Sequence, residues 1–134
     1  MVKYSRQREC ILKNLQGRRD HPTADMVYES VRMEQPNISL GTVYRNLALL
    51  AENGQILKIS TGTGPDHFDG YTSPHVHFVC RHCGKVIDME EIPAINLIDK
   101  TPAHFDGVIE GYELQIVGKC GDCLSIISQS LITQ

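Results

Sequence analysis

No run of apolar residues in the 134-residue chain approaches the roughly twenty that a membrane helix needs. The opening "MVKYSRQREC" lacks the apolar stretch of a secretion signal. A cytoplasmic protein with no membrane partner is therefore expected. Catalytic signatures are equally scarce. No Ser or Cys nucleophile is paired with a base, and no Glu stands beside a His pair as HExxH would place it, so an enzyme is not expected. An overall excess of positive charge is also missing, since the formal net charge is −3. That average hides an asymmetry. Residues 1–60 hold nine Lys and Arg against six Asp and Glu, whereas residues 61–134 hold four against ten. The first half could face phosphates and the second could supply carboxylates to cations; two ordinary solvated surfaces would look the same by charge alone.

What is present in the first half is helical periodicity. "RQRECILKNL" reads as an amphipathic helix in which Cys10 is a small buried hydrophobe. "TADMVYESVRM" places Ala24, Val27, Tyr28 and Val31 on one face. "SLGTVYRNLALLAENG" does the same with Leu40, Val43, Leu47 and Leu50, between a Ser39 N-cap and a Gly54 stop. The breaker "EQPNI" separates these last two helices, which gives a helix-turn-helix outline. "QILKIS", the turn "TGTGPD" and "HFDGY" then read as a hairpin, the wing of a winged helix over residues 1–72. Its second motif helix would enter the major groove of double-stranded DNA. The exposed face of that helix carries Thr42, Tyr44, Arg45 and Asn46. Arg45 has the donors for a guanine edge, and Tyr44 can reach a phosphate or a thymine methyl. An Arg and a Tyr exposed on a small bundle for no such purpose would give the same pattern.

Residues 73–134 follow a different grammar. "HVHFVC", "KVIDM" and "YELQIVG" alternate like strands, Tyr112, Leu114 and Ile116 being one example, while Pro93 opens a helix in "PAINLIDKT". The fold class expected for the whole chain is α+β. The five cysteines fall as two Cys-x-x-Cys pairs, Cys80/Cys83 and Cys120/Cys123, plus Cys10. In a reducing compartment that spacing favours metal over disulfide. Four thiolates satisfy tetrahedral Zn²⁺ with no position left open, so the site is structural.

His75 and His77, separated by one residue, project from the same face of a strand, opposite Val76. They read equally as a metal half-site or as surface histidines. A metal there would be a second ion, with Asp69 and Asp88 as candidate oxygen donors. His82, inside "CRHC", is expected to face solvent. His67 and His104 have no obvious partners and are expected to be structural or exposed.

Taken together, "HPTADMVYESV", "SLGTVYRNLALLAENG", "HFDGYTSPHVHFVCRHCGKVID" and "GKCGDC" resemble, in order and over nearly the whole chain, the ferric uptake regulators, a family of bacterial metal-responsive repressors. The resemblance is strongest to the peroxide-stress branch, whose regulatory metal is held by three His and two Asp. It implies a regulatory Fe²⁺ or Mn²⁺ site made of His21, Asp69, His75, His77 and Asp88, joining a DNA-binding domain to a dimerisation domain. It further implies a homodimer on an inverted-repeat operator. Nitrogen and carboxylate donors without thiolate suit those metals. The resemblance also implies that peroxide acting at Fe²⁺ adds oxygen to His21 or His75, after which the operator is released.

Some features depart from the family pattern. Many members have an extra helix before "YSRQRECIL", so phosphate contacts there fall to Lys3, Arg6 or Arg8. Tyr112 and Val76 replace ligands of a further metal site found in some relatives. Asp88, where iron-uptake members commonly have Glu, favours peroxide sensing. A sensor of iron, manganese or zinc supply from the same family would share the fold and every ligand position.

Overall fold

The structure, a computed structural model, describes residues 5–62, 64–73, 75–89, 102–109 and 113–132, with 127–132 as backbone only. It divides into two units, Met1–Ser73 and Pro74–Gln134. The helix expected at "PAINLIDKT", along with Lys3 and Tyr112, lies outside the described residues.

The first unit begins with three helices, α1 (Arg6–Gln16), α2 (Ala24–Val31) and α3 (Leu40–Glu52). Each starts where a hydroxyl can satisfy an otherwise orphaned N–H. The side chains of Ser5, Thr23 and Ser39 accept from the amides of Arg8, Met26 and Thr42. Such a cap contributes about 1 kcal/mol. Asn53 ends α3, and Gly54 follows with φ +76°, a left-handed turn that glycine adopts without strain. The faces turned inward bring Ile11, Leu15, Val27, Val31, Val43, Leu47 and Leu50 into one core.

Two expected core positions differ. Leu40 is 39% exposed in the first turn of α3, whereas Ile38, just before the cap, is buried at 4%. Ile38 therefore fills the core at that end of the helix. Cys10 is only half-buried, and its thiol donates to the Glu34 carboxylate at 3.3 Å.

The hairpin pairs β1 (Leu57–Ile59) antiparallel with β2 (His67–Asp69), Leu57 facing Asp69 and Ile59 facing His67. Phe68 points into the helical core at 5% exposure. Its backbone N–H donates to the Pro22 carbonyl at 2.9 Å, and Thr23 bridges His67. Residues 21–23 therefore run along the outer edge of β2. Immediately after β2 the chain passes so close to the end of α1 that a Cβ on Gly70 would lie 2.6 Å from the Leu15 carbonyl oxygen.

In the second unit a three-stranded sheet has the order β4-β3-β5, with β3 (Val76–Cys80) between β4 (Val86–Met89) and β5 (Gln115–Gly118). β3 pairs antiparallel with β4 and parallel with β5. A final helix, α4 (Gly121–Ile132), follows β5; the sequence pattern did not reveal it. Among the described residues Val76, Val79 and Val86 are buried, and Cys80, Cys120 and Cys123 form a buried cluster against Phe78 and Ile87.

Gly70→Ala forces its methyl against backbone that cannot step aside. We expect a loss of about 1–3 kcal/mol in the first unit, read by urea denaturation of the zinc-loaded protein. A midpoint equal to wild type would show that the Gly70–Leu15 approach is not tight.

Candidate metal centres and nucleic-acid interface

Cys80 closes β3, Cys83 lies in the turn that follows, Cys120 comes just after β5 and Cys123 lies in the first turn of α4. All four sulfurs lie within 4.8 Å of one another. The separations Cys80–Cys123 and Cys83–Cys120 are both 3.7 Å. This is far beyond the roughly 2.05 Å of a disulfide. It matches the edge of about 3.8 Å of a tetrahedron with metal–sulfur bonds of about 2.3 Å. The turn after Cys80 is held by Gly84, whose N–H donates to the Cys80 carbonyl and whose φ of +79° suits glycine.

The sulfurs are electrostatically unequal. Backbone N–H groups of Cys83 and Cys120 both donate to Cys80 Sγ at 3.4 Å, which holds that thiol down to about 5. Burial pushes Cys123 in the opposite direction, up to about 12. Four adjacent thiolates need a cation to coexist, so this donor set fits a structural Zn²⁺.

The remaining donors fall into two groups, one in each unit. In the first unit, His21 and Asp69 are each 2% exposed, and His21 Nε2 stands 3.4 Å from Asp69 Oδ2. The other oxygen, Asp69 Oδ1, accepts the Tyr71 N–H at 2.9 Å, which fixes the carboxylate plane. In the second unit, His77 and Asp88 are partners across β3 and β4. His75 lies one residue before β3, and its ring stands edge-on to that of His77 with centroids 4.3 Å apart. Asp88 Oδ1 is 3.0 Å from His75 Nε2 and 3.5 Å from His77 Nε2. Two ligands about 2.1 Å from a shared ion sit about 3.0–3.5 Å apart. The spacing within each group therefore fits a regulatory metal with nitrogen and oxygen ligands.

Other expected residues are placed as follows. His82 and His104 are exposed. His67, expected to be structural or exposed, is structural: its Nδ1 lies 2.6 Å from the His21 carbonyl oxygen. Long-range pairing with a backbone atom leaves no trace in sequence spacing. On α3, Tyr44 and Arg45 are exposed, while Thr42 and Asn46 are half-buried. Arg45 Nη2 donates to Thr42 Oγ1 at 3.0 Å, and Thr42 Oγ1 also accepts from Ser39 Oγ at 2.9 Å. Asn46 donates to the Thr42 carbonyl instead of reaching outward. Tyr44 of α3 and Lys58 of β1 line the same cleft, so the helix and the wing both contribute to it. Sequence reasoning missed Lys58, because nothing local links a wing lysine to a helix. On α1, Arg6 is exposed and Arg8 half-buried.

Cys80→Ser and Cys120→Ser each leave three thiolates on the zinc. We expect zinc content to fall from one per chain and the second unit to lose several kcal/mol of the roughly 10–16 kcal/mol that structural zinc binding carries. Metal analysis and thermal melting check this; an unchanged melt with zinc gone would remove the structural role.

A sequence model described as the Ferric uptake regulator family matches residues 1–117. The chain is 35% identical over 123 residues to the peroxide operon regulator of Bacillus subtilis (strain 168), a match spanning 91% of this chain and 84% of that protein. It is 33% identical over 123 residues to the peroxide-responsive repressor PerR of Staphylococcus aureus (strain USA300), spanning 91% and 82%. The crystal structure of the Campylobacter jejuni peroxide stress regulator is similar at a TM-score of 0.68 and 29% identity, covering 87% of this chain and 88% of that one. With a family match over most of its length and a fold that these structures share, the chain belongs to the ferric uptake regulator family.

Proposed function

We propose that this protein is a metal-dependent transcriptional repressor that releases its operator when hydrogen peroxide oxidises a histidine of its regulatory site. The observation that carries the reading is the donor set. His21 and Asp69 in one unit, and His75, His77 and Asp88 in the other, supply imidazole and carboxylate without any thiolate. Such ligands suit Fe²⁺ and Mn²⁺. The similarity to the Bacillus subtilis and Staphylococcus aureus peroxide regulators supports the same reading.

In this reading one ion takes ligands from both groups, and its loading stabilises the arrangement that binds DNA. Only five residues lie between Asp69 and His75, so the chain itself keeps both groups available to a single ion. Ferrous iron, when bound, supplies the local reduction of peroxide beside its own ligands. His21 and His75 are the imidazoles that gain oxygen. An oxidised ring is a poorer ligand, so its loss uncouples the two units, a two-state element biased by one site. The zinc thiolates, already committed to a closed tetrahedral site, stay intact.

For DNA, α3 is the reading helix. Arg45, tethered through Thr42 to the Ser39 cap, is held over the first turn and presents its guanidinium toward a base edge. Tyr44 and Thr42 lie beside it, and Lys58 of the wing joins Tyr44 at the phosphates. Arg6 and Arg8 of α1 and Lys3 before it supply further backbone contacts. The chain acts as a homodimer. Exposed Val108, Val117, Leu124 and Ile126 in the second unit give it apolar surface to cover. Two reading helices then require an inverted-repeat operator.

A peroxide pulse on Fe²⁺-loaded protein should abolish operator binding and add one oxygen atom to the peptide containing His21 or the one containing His75, read by gel shift and mass spectrometry. Mn²⁺-loaded protein should keep both DNA binding and mass. Oxidation of Cys80, Cys83, Cys120 or Cys123 ahead of both histidines would make this a thiol switch and overturn the reading. Loss of DNA binding on metal withdrawal alone, with peroxide inert, would make it a sensor of metal supply.

Arg45→Ala should cost about 1–3 kcal/mol on an operator selected from a random-sequence pool and relax preference at one base position. An unchanged preference would remove Arg45 from base readout.

A further inference from the structure

His67 opens β2 and is neither one of the metal donors nor one of the groups assigned to DNA. Its Nδ1 lies 2.6 Å from the His21 carbonyl oxygen. A carbonyl only accepts, so Nδ1 carries the proton and donates it. The neighbouring bonds run to the same segment: Phe68 N–H donates to the Pro22 carbonyl at 2.9 Å, and Thr23 bridges His67. Backbone pairing thus secures residues 22 and 23. The imidazole of His67 reaches one residue further back, to His21.

His21 has particular need of that hold. Its φ is +50°, and it is the sole non-glycine residue with positive φ among those described. A residue with a Cβ rarely stays in that region unless its surroundings over-determine it. Relaxation to an ordinary backbone angle would swing the side chain, yet His21 is 2% exposed with Nε2 set beside Asp69 Oδ2.

We propose that His67 is a positioning residue for the regulatory metal: by donating Nδ1–H to the His21 carbonyl, it holds the left-handed backbone that aims His21 Nε2 alongside Asp69. The proposal rests on the reading of His21 as a metal ligand. It makes β2 responsible for both donors of the first unit, since the strand carries Asp69 itself and, two residues earlier on the same face, the clamp on His21. A displacement of the wing strand then disturbs both donors together.

The test uses full-length, zinc-loaded protein and Mn²⁺ as the probe, with free Mn²⁺ followed by electron paramagnetic resonance. His21→Ala should lose Mn²⁺ binding. His67→Ala should weaken it by about 10- to 100-fold, while His67→Asn, whose amide nitrogen replaces Nδ1 as a donor, should stay within about threefold of wild type. In metal-free wild type, imidazole nitrogen chemical shifts should report His67 protonated at Nδ1. This measurement and the Asn variant decide the matter even if His67→Ala fails to fold. Wild-type affinity in His21→Ala would sink the ligand assignment itself. Weak binding in His21→Ala with full binding in His67→Ala, Asn behaving no better than Ala, or His67 protonated at Nε2 would overturn the positioning role alone.

Discussion

Phe68 cannot enter the helical core of the first unit without carrying His67 and Asp69 with it on the opposite face of β2. That single burial, at 5% exposure, sets the register of the strand against both β1 and residues 21–23. From it follow the place of Asp69, the bond from His67 to the His21 carbonyl and the approach of Gly70 to the end of α1. An apolar side chain thus decides where polar ones stand. The energy comes from the core, and the chemistry is attached to it through a rigid three-residue strand.

The second unit solves a different problem. A unit this small gains little from its core alone, and the four thiolates supply a cross-link. They gather the end of β3, the turn beyond it, the end of β5 and the start of α4 at one point. Because β5 lies parallel to β3, no short hairpin can join them. The metal joins the ends of two strands that the chain itself connects only by a long excursion.

The two donor sets differ in a way that keeps their metals apart. Four sulfurs make a soft, closed tetrahedron with no vacant position. Imidazoles and carboxylates make a harder set that suits iron or manganese. A structural ion and an exchangeable ion can therefore share one small chain without competing.

Much of this was legible in local pattern. The Ser39 cap and the Gly54 stop, the apolar faces of α2 and α3, the hairpin and the two Cys-x-x-Cys knuckles all depend on neighbours within a few residues, which is the range over which sequence alone determines structure. His75, His77 and Asp88 were readable as candidate donors from alternation along strands. His21 was not: apart from family resemblance, nothing in the sequence links it to Asp69, because their proximity comes from the docking of β2 along residues 21–23. The partner of His67, the steric demand at Gly70 and the exposure of Leu40 beside buried Ile38 arise in the same way. So do the thiol bond from Cys10 to Glu34 and the parallel course of β5. Each is decided by a contact between segments distant in the chain, and such contacts exist only after the core has chosen which faces to bury.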